Sequence, residues 1–174
     1  ESYEMVGGKK LLCSNEANEY ALNYVDENGM PPKMVMRLYN DGIAFRYELS
    51  GLESDTLKDE QTTYRIPEGT NRWIQRWTEA YEDFFPLSTT GKGRRSQNWG
   101  YPALIEPAEG VFALITEAGI DRKQSASSLK NEEDLELYKV CPATNECILD
   151  GDWCTPWRVV IIGDLGTIVE STLV

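Results

Sequence analysis

Apolar and polar residues alternate with a period of two along Ile43 to Leu49: Ile43, Phe45, Tyr47 and Leu49 fall on one face, Ala44, Arg46 and Glu48 on the other. That spacing predicts a half-buried β-strand. Lys33 to Leu38 alternates in the same way, with Val35 as a partial exception, and Asn40-Asp41-Gly42 between the two runs is turn chemistry that tolerates positive φ. The pair predicts a hairpin. Ala17 to Val25 is β-rich and ends at Asp26-Glu27-Asn28-Gly29, where Asn-Gly favours a tight turn. Leu57 to Ile66 predicts another strand, ended by Pro67, and Leu87 to Trp99 reads as a polar, Gly-rich loop. Ala103 to Ile105 and Val111 to Thr116 predict a hairpin across Pro107-Ala108-Glu109-Gly110. Leu135 to Val140 follows, and Val159 to Ile162 predicts a buried strand before a polar turn and a second β-rich run. Trp73, Trp77 and Tyr81 recur every four residues, which would stripe a short helix or line an irregular loop. Strands at roughly ten-residue spacing, with little helical periodicity, point to an all-β sandwich with at most short helices, one domain over residues 1–174.

Composition narrows the chemistry. The chain carries 17 Lys+Arg against 29 Asp+Glu, a formal charge of −12. Nucleic acid and polybasic membrane contacts both require the opposite balance, so neither is expected. No apolar run approaches the roughly 20 residues of a membrane span. An acidic surface serves solubility, or carboxylates gather at a cation. There is no histidine, which rules out Ser-His-Asp and Cys-His nucleophile pairs within this chain and all His-ligated metal sites. Cys13, Cys141, Cys147 and Cys154 lack zinc-knuckle spacing. They suit disulfides in an oxidising compartment, Cys141–Cys147 with Cys13–Cys154 being one of three pairings, or they are free thiols. The expected location is periplasmic or secreted.

The residue types nominate few sites. Trp73, Trp77 and Tyr81, with Trp99 and Tyr101, would stack on sugar rings if exposed, or fill the core if not. Glu79, Glu82 and Asp83 lie among them as paired carboxylates or as a solvated face. Asp150-Gly151-Asp152 has the look of a calcium loop but lacks its other ligands and reads as a turn. Glu117 ends the apolar run Val111-Phe112-Ala113-Leu114-Ile115-Thr116 and is either an ordinary terminal residue or a carboxylate projected from a rigid strand end.

Several segments together resemble a known family. Met36-Arg37-Leu38-Tyr39-Asn40-Asp41-Gly42-Ile43-Ala44-Phe45-Arg46-Tyr47-Glu48 resembles the DG-AFRYE segment in the N-terminal domain of glycoside hydrolase family 97. Asn18-Glu19, Tyr81-Glu82, Ala113-Leu114-Ile115-Thr116-Glu117-Ala118 and Thr155-Pro156-Trp157-Arg158-Val159-Val160-Ile161-Ile162-Gly163-Asp164 are similar to its NE, YE, ITEA and TPWR elements, in the same order. The resemblance implies an antiparallel β-super-sandwich like the galactose-mutarotase domains. It implies a catalytic (β/α)8 barrel as partner, following Val174, which hydrolyses α-glucosidic or α-galactosidic bonds in oligosaccharides. It also implies dependence on calcium, with Glu117 as the glutamate this domain lends to the ion and no catalytic residue here. Two departures stand out. Gly119-Ile120-Asp121-Arg122-Lys123-Gln124-Ser125 lacks a Tyr-Pro often found there, and strands that usually precede the matched region are expected to be missing. The alternative function is a stand-alone carbohydrate-binding sandwich using Trp73, Trp77, Tyr81 and Trp99; a purely structural interaction module is a third.

Overall fold

The computed structural model describes residues 2–8, 10–24, 32–80, 82–93, 96–143 and 148–173. In chain order the strands are β1 (Ser2–Glu4), β2 (Leu12–Ser14), β3 (Asn18–Asn23), β4 (Lys33–Tyr39), β5 (Gly42–Thr56), β6 (Thr63–Arg65), β7 (Asn71–Trp73) and β8 (Leu87–Thr89). There follow β9 (Gln97–Trp99), β10 (Ala103–Ala108), β11 (Val111–Ala118), β12 (Ser127–Asn131), β13 (Leu137–Pro142), β14 (Ile148–Cys154) and β15 (Trp157–Gly163), then one helix, α1 (Leu165–Glu170). A nine-stranded sheet runs β3-β4-β5-β15-β11-β10-β7-β8, with β14 paired to the far half of β5. A four-stranded sheet runs β6-β13-β12-β9, and β1 pairs with β2 apart from both. Among the described residues all strand pairings are antiparallel. The all-β sandwich expected from the strand pattern is the fold observed.

Successive residues of a strand point to opposite faces, and the central strands of the large sheet are apolar on both. Ala103, Ile105, Ala113 and Ile115 face the small sheet and pack with its Trp99, Leu129, Tyr138 and Val140 to form the main core. Phe112, Val159 and Ile161 leave by the other face, where α1 lays Ile168 across them and Trp73, Trp157 and Leu173 pack alongside. This double coverage explains why Val111 to Thr116 and Val159 to Ile162 read as continuous apolar runs. A smaller cluster of Leu52, Leu149 and Trp153 closes the β5–β14 end.

Several expectations are corrected. The second β-rich run at the C-terminal end is helix α1, because Asp164 caps it: its carboxylate accepts from Thr167 N at 2.7 Å, and Ile168 gains burial against the sheet. The Leu57–Ile66 strand shrinks to β6, since 57–62 forms a loop that carries Glu60 into the interior. The loop over Leu87–Trp99 contains β8 and β9, short strands held by pairing to β7 and β12 rather than by their own propensity. No helix carries Trp73 and Trp77: Trp73 ends β7, Trp77 lies in irregular chain, and Tyr81 is outside the described residues. Asp150-Gly151-Asp152 is not a turn but an irregularity inside β14, where Gly151 at φ +66° shifts the register against β5. In β5 it is Ala44, on the face expected to be polar, that is buried, because that face lies in the cluster beneath α1. Cys13 and Cys154 are free thiols, so a Cys13–Cys154 bridge is not formed; Cys147 and the Asp26–Gly29 turn lie outside the described residues.

Inside the main core, the Tyr138 hydroxyl is bonded to the Arg72 guanidinium and lies 3.2 Å from Thr90 Oγ1, whereas the buried Tyr64 hydroxyl has no partner among the described residues. Removing a paired buried hydroxyl strands its partner, at about 1–3 kcal/mol. Tyr138→Phe is therefore expected to lower unfolding free energy by that amount in denaturant titration. Tyr64→Phe is expected to change it by less than about 1 kcal/mol, or raise it; equal losses would show that the two hydroxyls are equally well satisfied.

Candidate site around a buried arginine

The strands β14 and β15 both pair with β5, and Thr155-Pro156 joins them. Thr155 keeps the ladder continuous across that joint: its N–H donates to Tyr47 O at 2.9 Å and its Oγ1 accepts from Tyr47 N at 3.1 Å. Strand alternation then sends Trp157 to one face of the large sheet and Arg158 to the other. On the Trp157 side, the guanidiniums of Arg37 and Arg46 lie over the indole at 4.6 and 4.5 Å. Arg37 is paired with Glu19 at 2.7 Å and Arg46 with Glu48 at 2.5 Å, and Lys33 reaches Glu48 at 3.0 Å. The NE, AFRYE and TPWR segments, separate in sequence, thus meet on one face.

On the inner face lies a buried, closely bonded polar cluster. Arg158 and Glu117 are directly paired residues of β15 and β11, so their side chains enter the space between the sheets together. The Arg158 side chain is 2% exposed, that of Glu60 5% and that of Glu117 6%. Arg158 forks onto Glu60, Nε to Oε1 at 2.9 Å and Nη2 to Oε2 at 2.5 Å, while Nη1 reaches Glu117 Oε2 at 2.6 Å. Ser127, the first residue of β12, completes the cluster: its N–H donates to Glu117 Oε1 at 3.0 Å and its hydroxyl to Oε2 at 2.7 Å, while accepting from Arg158 Nη1 at 3.1 Å. The Glu60 loop is tethered to the small sheet, since Asp59 accepts from Glu60 N at 2.9 Å and is ion-paired to Lys139. The Lys139 bond holds the Asp59 carboxyl below the usual carboxylate range.

Burial alone would pull the Arg158 guanidinium down, but its bonds and attraction to Glu60 outweigh that and hold it above its ordinary value. Two carboxylates against one guanidinium leave a formal excess of one negative charge. Tyr64 and Tyr101 border the cluster, and burial pushes both phenols well above their ordinary value.

The other candidates are dispersed. Trp99 is buried between the sheets, its Nε1 donating to Asn131 Oδ1 at 2.7 Å and its ring under the Arg72 guanidinium at 4.5 Å. Trp73 packs on Phe112 at the opposite face of the large sheet, centroids 6.1 Å apart. Trp77 is half-buried, and Glu79, Glu82 and Asp83 are exposed. The structure does not bring Trp73 and Trp99 onto one surface. Among the described residues no three Cys, Asp or Glu side chains form a group able to hold a metal. The Glu117 carboxylate would offer a calcium ion one hard, negatively charged ligand, set in a cluster of excess negative charge. That donor chemistry fits one coordination position of roughly six to eight. Sequence reasoning missed Arg158 and Glu60 as site residues. Arg158 left a signal, a lone charge in a buried apolar strand, which demands a buried partner; Glu60 left none.

The glycosyl-hydrolase 97 N-terminal family model matches residues 1–174, so the match also takes in the first strands ahead of Asn18. The "Probable retaining alpha-galactosidase" of Streptomyces bingchenggensis (strain BCW-1) is 29% identical over 175 residues, covering 99% of this chain and 27% of the relative. Among solved structures, a glycoside hydrolase family 97 enzyme in complex with acarbose from Pseudoalteromonas sp. strain K8 superposes with a TM-score of 0.82 at 18% identity, over 99% of this chain and 28% of that one. A β-arabinopyranosidase superposes with a TM-score of 0.85 at 25% identity, over 99% of this chain and 32% of that one. The chain spans about a third or less of the length of these relatives.

The buried phenols carry a pH signature. Each has its folded-state pKa raised above the unfolded value near 10, so its contribution is fully present below about pH 10 and is lost as pH rises beyond it. The loss is up to about 1.4 kcal/mol per pH unit per tyrosine. Denaturant titrations from pH 9 to 11 are expected to show Tyr101→Phe losing stability less steeply than the parent, by up to one proton. Identical slopes would mean that Tyr101 ionises as readily folded as unfolded.

Proposed function

We propose that this chain, which belongs to the glycosyl-hydrolase 97 N-terminal family, is a non-catalytic domain that packs on the (β/α)8 barrel of an α-glycosidase and lends Glu117 to that enzyme's calcium ion. The observation that carries the reading is the state of Glu117. It sits at the end of a central strand, its carboxylate is held by Ser127 and Arg158, and its cluster carries one more negative charge than positive. Oε2 is engaged by two donors, while Oε1 accepts the Ser127 N–H and, as a carboxylate oxygen, has a further lone pair for a cation. When bound, calcium would supply positive charge at an oligosaccharide's scissile region; this chain's share is to hold one ligand in place and to bring a rigid wall to the barrel. The Streptomyces relative, named as an alpha-galactosidase, makes an α-galactoside one substrate class to try first. The parent is taken to be periplasmic or secreted. A stand-alone carbohydrate-binding module would need its tryptophans on one surface, and Trp99 and Trp73 lie on opposite faces of the large sheet.

The test is calcium titration by calorimetry. The isolated domain is expected to bind calcium at least a hundredfold more weakly than the domain joined to its barrel, because one carboxylate falls far short of a full shell of roughly six to eight oxygens. In the joined protein Glu117→Gln is expected to weaken binding. Tight binding by the isolated domain would overturn the assignment and redirect it to another ligand set, with Asp150 and Asp152 the first to examine.

A further inference from the structure

A carboxylate that serves a metal is only as well placed as the groups behind it, and here those groups form a closed arrangement. We infer that Arg158 is a positioning residue for Glu117, and that Glu60, bonded to the same guanidinium, sets the charge of the site. The inference rests on the reading of Glu117 as a calcium ligand and goes beyond it, to residues that touch no ion.

The geometry has three parts. First, the planar guanidinium is oriented by its fork onto Glu60, at 2.9 and 2.5 Å, and that fork leaves Nη1 as the nitrogen aimed at Glu117. Second, Ser127 holds both oxygens of the Glu117 carboxylate, N–H to Oε1 and hydroxyl to Oε2, and its hydroxyl is itself fixed by accepting from Arg158 Nη1. The plane of the carboxylate is thereby set from the opposite sheet as well as from its own. Third, a guanidinium 2.6 Å from a metal-ligating carboxylate would by itself cancel the charge that attracts a cation. Glu60 neutralises Arg158 from the far side, so Arg158 can orient Glu117 while the cluster stays formally negative. A purely structural salt bridge would need only one carboxylate.

The experiment uses the domain joined to its barrel and reads calcium affinity by calorimetry, alongside thermal unfolding of the calcium-free protein. Glu60→Gln keeps a hydrogen-bonding side chain of the same size and removes the charge; Ser127→Ala removes one hydroxyl and serves if Glu60→Gln does not fold. Both are expected to weaken calcium binding by about ten- to a hundredfold, the usual range for groups behind a ligand, while Glu60→Asp, which keeps the charge, stays closer to the parent than Glu60→Gln. If Glu117→Gln weakens calcium binding but Glu60→Gln and Ser127→Ala lower only the melting temperature, the cluster is structural and this inference falls while the calcium reading stands. If Glu117→Gln leaves calcium affinity unchanged, the calcium reading itself fails.

Discussion

The Arg158 guanidinium ties the two sheets of this sandwich together at the Glu117 cluster. Its fork holds the Glu60 loop, its remaining nitrogen holds Glu117 on the neighbouring strand, and Ser127 brings in the first residue of the small sheet. Taking three charges out of water costs several kcal/mol per ion, and Coulomb attraction offsets this only when the geometry is near ideal and each charged group is also hydrogen-bonded. The short, mutually oriented bonds satisfy that condition. A buried ion cluster is often no more stabilising than an apolar trio of similar volume, so this one is better understood as fixing where Glu117 stands than as a source of stability.

That function depends on the sheet around it. A strand apolar on both faces can be rigid only if both faces are covered, and α1 and the small sheet cover them from opposite sides. The same alternation that buries Val159 and Ile161 on one face delivers Arg158 to the other, one residue after Trp157 has been turned outward beneath Arg37 and Arg46. Thr155-Pro156 sets this phase, because Thr155 completes the β5 ladder where one partner strand ends and the next begins. A one-residue slip there would exchange Trp157 and Arg158 between faces and lose both clusters.

Much of this architecture was legible in the sequence, and the parts that were not have physical reasons. The β4–β5 and β10–β11 hairpins and β15 follow from period-two alternation, apolar runs and turn residues, all local signals. Helix α1 was hidden because Ile168 and Val169 favour strands in isolation; tertiary packing of Ile168 and the Asp164 cap overrode that preference. The short strands β8 and β9 exist because neighbours offer them partners, which no local window records. At the site, Glu117 was legible as a carboxylate at a strand end and Trp99 as a possible core residue. Glu60 was not, since its partner lies 98 residues away and its own loop carries no pattern. Long-range ion pairs leave no periodicity behind.

The whole cluster depends on Glu60 and Glu117 sharing one buried cation. Removing either leaves Arg158 with the other, but removing both strands a buried, uncompensated charge, at about 3–5 kcal/mol. A double-mutant cycle on Glu60→Gln and Glu117→Gln, read by denaturant unfolding, tests this most directly. The account predicts that the double variant loses more stability than the sum of the two single losses, by at least about 1 kcal/mol. Additive losses would contradict it, and would mean that Arg158 does not join the two carboxylates in one cluster.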